Sequence, residues 1–314
     1  MAEPIIFEPL PMERVWGGRR LESLYGKHLP QGAPIGELWE VVDREDAQSV
    51  VHTGPLRGAT LNELWTTQRD EIFGAAYHSH PAPRFPVLIK LLDARERLSV
   101  QVHPPARIAA SLHGEPKTEM WYFADALPGA TIFAGLKKGY DRDKFETLLR
   151  SGRVQETLHE IPVERGDSIF IESGRLHAIG EGNVIVEVQQ NSDTTYRVFD
   201  WNRMGLDGQP RKLHIEESMV STDFNDFEPG VERIAEGTLA ECPYFKVEKL
   251  ALAAPLAACT SDRFTIFNVL AGQVICGSTT FRPGDFFLAP VSLAGETVDP
   301  GAADTQILRI TLPV

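Results

Sequence analysis

Leu98-Ser-Val-Gln-Val-His103 alternates apolar and polar residues and is closed by Pro104-Pro105, the pattern of a half-buried strand. Residues two apart in a strand share a face, so Ser99, Gln101 and His103 point one way and Leu98, Val100 and Val102 the other. The polar row offers a hydroxyl, an amide oxygen and an imidazole, where a solvated face more often carries Lys, Glu and Thr. Lys117-Thr-Glu119 alternates in the same way, which puts Lys117 and Glu119 on one face. A third segment, Gly166 to His177, reads as a strand, a tight turn at Gly174 and a histidine. Gln101, His103, Glu119 and His177 together make a two-nitrogen, two-oxygen donor set. Such a set suits one tetrahedral or five-coordinate Zn²⁺ with a position left for water or substrate. Mn²⁺, Co²⁺ or Fe²⁺ can substitute, because availability decides occupancy more than ligand type.

These donors need strands to carry them. Phe85 to Leu92 is a nearly continuous apolar strand with Lys90 inside it. A lysine there is costly unless its ammonium meets an anion or snorkels from a strand end. Val184 to Gln190 is a Val/Ile-rich strand with Glu187 and Gln189 on one face, and Gly36 to Val42 and Ala130 to Phe133 are also strands. Leu61 to Phe73, Pro105 to His113 and Asp141 to Arg150 have helical spacing. Trp16-Gly17-Gly18 is a turn signal with one large aromatic, serving as a core anchor or as a site wall. The His78-x-His80 pair lies among Ala, Ser and Pro and reads as a loop rather than a metal site.

The chain resembles the type I mannose-6-phosphate isomerases, in the short bacterial form. The resemblance rests on Ser99-Val-Gln-Val-His103-Pro, Lys117-Thr-Glu119-x-Trp-Tyr, Gly174-x-x-His177-Ala-Ile-Gly180, Gln189-Gln-Asn-Ser-Asp193-Thr-Thr-Tyr-Arg197-Val-Phe-Asp-Trp201 and Trp16-Gly-Gly-Arg. It implies a mainly β protein of two cupin-like (jelly-roll) β-barrels with a few short helices. It also implies a zinc-dependent aldose–ketose isomerase that interconverts mannose 6-phosphate and fructose 6-phosphate through a cis-enediolate. By the same resemblance Lys90, Ser99 and Lys117 contact the phosphate or substrate, with Trp16 and Asp193 beside them, Arg197 stabilises the enediolate, and Glu187 is a general base. The alternative from chemistry alone is that Arg197 is a structural partner of Asp193 or Asp200, and Glu187 a support for a metal-bound histidine. Pro116 and Glu172 depart from the family pattern without removing a ligand. An isomerase for another phosphosugar and a non-catalytic sugar-binding cupin are the alternatives.

At 314 residues the chain suffices for two modest domains or one large one. The character changes near Phe227, and Gly284-Asp-Phe-Phe-Leu-Ala-Pro290 repeats half of the cupin motif of Gly166 to His177 with no histidine after it. The expected division is a metal-binding catalytic domain at 1–230 and a degenerate barrel at 231–314. The net charge of −13 argues against nucleic acid and anionic membrane as partners. It also requires a local cationic pocket for any phosphosugar. No secretory signal is visible, and no apolar run is long enough to span a membrane. The three scattered cysteines, Cys242, Cys259 and Cys276, read as reduced thiols of a cytoplasmic protein. Nothing in the pattern sets an oligomeric state.

Overall fold

The structure, a computed structural model, describes residues 3–314. It is mainly β with a few short helices, and every pairing between its named strands is antiparallel. A six-stranded sheet runs in the order Leu10–Gly18, Ile35–Val41, Val87–Ala94, Asn183–Gln190, Glu119–Ala126, Ser168–Ile171. A five-stranded sheet faces it, in the order Tyr196–Phe199, Val100–Val102, His177–Ile179, Thr131–Leu136, Leu158–Pro162. Leu92, Trp121, Phe123 and Ile185 of the first sheet meet Ile132, Ala134, Ile161 and Ile179 of the second in one cluster. Trp16 packs into the same cluster.

The C-terminal third repeats this arrangement. Gly237–Glu241, Lys246–Ala251, Gln306–Thr311, Thr265–Ala271 and Phe286–Ala289 form a five-stranded sheet over a four-stranded one. Phe267, Phe287 and Ile307 pack against Val274, Phe281 and Val298 between them. The two sandwiches share a core: Ile89, Leu91, Val186 and Val188 behind the first sheet meet Val247, Ile266, Leu308 and Ile310. This explains why Val87–Ala94 is buried along its whole length and reads as an apolar run rather than an alternation. Each cupin-like unit is therefore two facing sheets, not a hydrogen-bonded ring closed on itself, among the described residues.

Local departures have local causes. Trp16-Gly17-Gly18 is the end of a nine-residue strand rather than a turn. A Cβ on Gly17 would lie 2.3 Å from the Gly36 nitrogen, so the glycine is there for close strand approach. The helix expected over Leu61 to Phe73 is two pieces, Leu61–Thr67 and Arg69–Ile72, parted at Gln68 (φ −131°). Its start is held by a Thr60–Glu63 capping box. Arg142–Arg150 starts on an Asp141 cap, as its sequence predicts. Cys242, Cys259 and Cys276 are free thiols, and no helix among the described residues is long and apolar enough to cross a membrane.

Candidate active site and metal centre

The donors are brought together across the two facing sheets. His177 is in register with Gln101 and Gln101 with Arg197, while Glu119 lies opposite, paired with Gln189 and Ile171. His103 Nε2 lies 3.6 Å from Glu119 Oε2, and His177 Nε2 lies 3.6 Å from Glu119 Oε1. The three donor atoms fall within 4.8 Å of one another, and all three residues are buried. The histidine tautomers follow from their partners: His103 Nδ1 lies 2.9 Å from the Thr194 carbonyl and His177 Nδ1 2.9 Å from the Arg175 carbonyl. A carbonyl only accepts, so each Nδ1 carries the proton and each Nε2 presents a lone pair to the carboxylate.

Both Nε2 atoms are buried without a hydrogen bond among the described residues, and Glu119 Oε2 meets only the Lys117 ammonium, at 2.8 Å. Burial and the nearby Lys117 ammonium hold His103 neutral, down to about 3, and burial lowers His177 as well. The Glu119 carboxyl resists burial and is held well below the ordinary carboxylate range by Lys117 and the two histidines. Lone pairs converge here with no proton between them, an arrangement that costs free energy unless a cation sits at the centre. The 3.6 Å spacings are close to the roughly 3.4 Å that separates two donors sharing one tetrahedral ion at about 2.1 Å. These residues therefore fit a metal ion.

Behind the triad a row of buried charges crosses the six-stranded sheet. Trp39, Lys90, Glu187 and Trp121 are mutually in register on adjacent strands. Lys90 Nζ lies 3.1 Å from Glu187 Oε1, and Trp121 Nε1 donates to Glu187 Oε2 at 3.0 Å. Lys117 Nζ lies 2.8 Å from Glu119 Oε2 and 4.0 Å from Glu187 Oε1. Burial, then the Glu119 charge, raise Glu187 above the ordinary carboxylate range against the pull of both lysines. An ammonium inside the Phe85–Leu92 run is thus explained by an anion on the next strand.

The row leads to a cavity of about 580 Å³. Trp16, Ser99, Gln101, Asp193 and Arg197 line it, while Lys90 and Lys117 are buried and paired with carboxylates rather than on its wall. Asp200 accepts from both Arg203 and Arg211, which leaves Arg197 with no carboxylate partner among the described residues. Arg197 donates from NH1 to the Lys212 carbonyl at 2.9 Å, and its Nε is buried without a partner. The purely structural reading of Arg197 loses its partner by this arrangement. His78 is exposed beside Asp70, and neither His78 nor His80 belongs to the donor cluster.

Sequence reasoning left out several cavity residues, among them Arg14, Glu37 and Arg211. Glu37 and Trp39 share a face in Gly36 to Val42, and a carboxylate two residues from a tryptophan on a buried strand was the available signal. Arg14 and Arg211 lie in segments with no comparable pattern.

Comparison with known proteins agrees with the geometry. The family model "Phosphomannose isomerase type I, catalytic domain" matches residues 8–126, which include His103 and Glu119. The mannose-6-phosphate isomerase of Bacillus subtilis is 36% identical over 98% of this chain and 99% of its own length. That of Streptococcus mutans is 35% identical over 92% of this chain and 93% of its own. A crystal structure of a B. subtilis mannose 6-phosphate isomerase superposes with a TM-score of 0.84, at 29% identity, over 98% of this chain and 99% of that one. With its sequence aligned almost end to end and its fold shared, this chain belongs to the type I mannose-6-phosphate isomerase family.

Proposed function

We propose that this protein interconverts mannose 6-phosphate and fructose 6-phosphate and holds one Zn²⁺ per chain on His103, Glu119, His177 and Gln101. The single observation that carries the reading is the pair of neutral histidines whose unprotonated Nε2 atoms face a buried carboxylate beside a cavity lined by Arg197. Zinc, when bound, supplies Lewis acidity toward the sugar oxygens at the reacting end. Gln101, on the cavity wall and in register with His177, is the neutral oxygen donor of the set.

The chain's own residues do the rest. Isomerisation moves one proton between C1 and C2 through a cis-enediolate. Glu187 takes and returns that proton: its carboxyl is raised by burial, toward the range where a carboxylate exchanges protons near neutrality. Arg197 remains charged at neutral pH and stands on the cavity wall, where its guanidinium meets the developing anion. Ser99 presents its hydroxyl at the cavity wall, and Trp16 and Asp193 shape the pocket around the sugar. Lys90 and Lys117 give the site its positive potential; for either to grip phosphate directly it must exchange a carboxylate for it. Anchoring the phosphate contributes orientation rather than chemistry.

We place this machinery in a catalytic domain at 1–230 and read 231–314 as a packing partner that carries no metal-ligand cluster among the described residues. The partner is a small phosphosugar rather than nucleic acid or membrane, and the compartment is the cytoplasm. The test is a coupled assay on zinc-loaded and chelator-stripped protein. Metal-dependent formation of fructose 6-phosphate from mannose 6-phosphate is expected. One bound zinc with no turnover would overturn the reading.

A further inference from the structure

Glu37, two residues before Trp39 on the same strand, is a buried carboxylate that reaches the cavity wall. Its side chain is 11% exposed. Two donors fix it through a single oxygen: Trp39 Nε1 at 2.7 Å and Arg14 NH2 at 3.0 Å, both on Oε2. Oε1 receives no hydrogen bond among the described residues, yet it is not among the buried oxygens left without a partner, so it stays open to the cavity. Burial opposes ionisation, but Lys90 and Arg14 outweigh it and hold the carboxyl down to about 2. Glu187, by contrast, accepts from the Trp121 indole at Oε2 and turns Oε1 toward Lys90. A counter-ion needs no oxygen facing the ligand space; a hydrogen-bond acceptor for a ligand does.

We propose that Glu37 is a substrate-positioning residue whose free Oε1 accepts a hydroxyl of the open-chain sugar phosphate. The inference rests on the function proposed above. An ionised carboxylate has lone pairs only, so it pairs with an O–H and repels phosphate. Its contact therefore falls on the hydroxylated carbon chain, away from the anionic end. Trp39 orients the carboxylate and Lys90 lies near its ring, 5.4 Å from the centroid, so the indole links Glu37 to the neighbouring row of Lys90 and Glu187.

Glu37→Gln is a directed test. The two donors on Oε2 keep the amide oxygen, so the amide nitrogen, a donor, replaces the acceptor in the cavity. Two inhibitors separate ligand contact from structure: sorbitol 6-phosphate, which has the hydroxyls, and ethyl phosphate, which has none. Glu37→Gln is expected to weaken sorbitol 6-phosphate and to raise the KM for mannose 6-phosphate by about tenfold, while ethyl phosphate changes by less than about twofold. Equal loss for both inhibitors, or no loss for the hexitol, overturns the proposal. If Glu37→Gln fails to bind metal or to unfold cooperatively, Glu37→Asp decides: it keeps the charge, draws the oxygen back by one methylene, and is expected to show the same selective loss. Wild-type protein that does not turn over mannose 6-phosphate would sink the functional reading, whereas an active wild type with an unselective Glu37→Gln sinks this inference alone.

Discussion

At the scale of the residue, the site depends on which atom of each side chain is left free. The two imidazoles spend Nδ1 on backbone carbonyls and keep Nε2 for the centre. His103→Ala removes one of three clustered donors, so metal content by atomic absorption and turnover are expected to fall together. Arg197→Ala leaves the triad whole. It is expected to keep the metal and the fold but lower kcat by about 10²–10³-fold, the usual cost of one donor to a developing anion. Near-normal turnover would remove its assigned role. Trp121→Phe deletes the indole hydrogen bond to Glu187 Oε2, at 3.0 Å, and leaves a buried acceptor without it. A loss of about 1–3 kcal/mol in denaturant-measured stability is expected.

At the scale of the element, the site is a product of strand register. A slip of one residue in Asn183–Gln190 would turn Glu187 and Gln189 away from Lys90 and Glu119 and put Val188 in their place. Close packing of Leu10–Gly18 on Ile35–Val41 holds Trp16 and Glu37 on the cavity wall. Gly36 permits it: a Cβ there would lie 2.6 Å from Arg14 Cβ and 2.6 Å from a Trp16 ring carbon. Gly36→Ala is therefore expected to cost about 1–3 kcal/mol in a denaturant melt and to displace Trp16, seen as a change in tryptophan fluorescence. An unchanged midpoint and spectrum would show that the two strands part without cost.

At the scale of the whole molecule, the buried charges make stability depend on pH and metal. Glu37 falls from its ordinary 4.5 to about 2 in the folded state, so its stabilisation is present above 4.5 and is lost as pH drops toward 2. His103 falls from 6.5 to about 3, so the folded state refuses a proton that the unfolded chain accepts, and stability declines as pH falls from 6.5 toward 3. For chelator-treated protein the melting temperature is expected to drop progressively below pH 6.5, by calorimetry. Added zinc at about 100 times Kd is expected to stabilise by about 2.7 kcal/mol near neutrality, and less in acid as protons compete for the histidines. A melting temperature indifferent to zinc at neutral pH would contradict the metal site.

The sequence by itself determined which side chains share a face and the strands that carry them, because side-chain alternation is local: Ser99, Gln101 and His103 share a face wherever that strand goes. It also determined the mainly β class and, through the motifs, the family. What only the tertiary structure decided was pairing between strands far apart in the chain. Lys90 needed Glu187, 97 positions away, to explain its burial, and Asp200 went to Arg203 and Arg211 rather than to Arg197. Glu37 came to the cavity wall because its strand packs beside Leu10–Gly18, whose glycines read locally as a turn. Long-range pairing depends on the summed packing of both faces of a sheet, and no short window of sequence contains that sum.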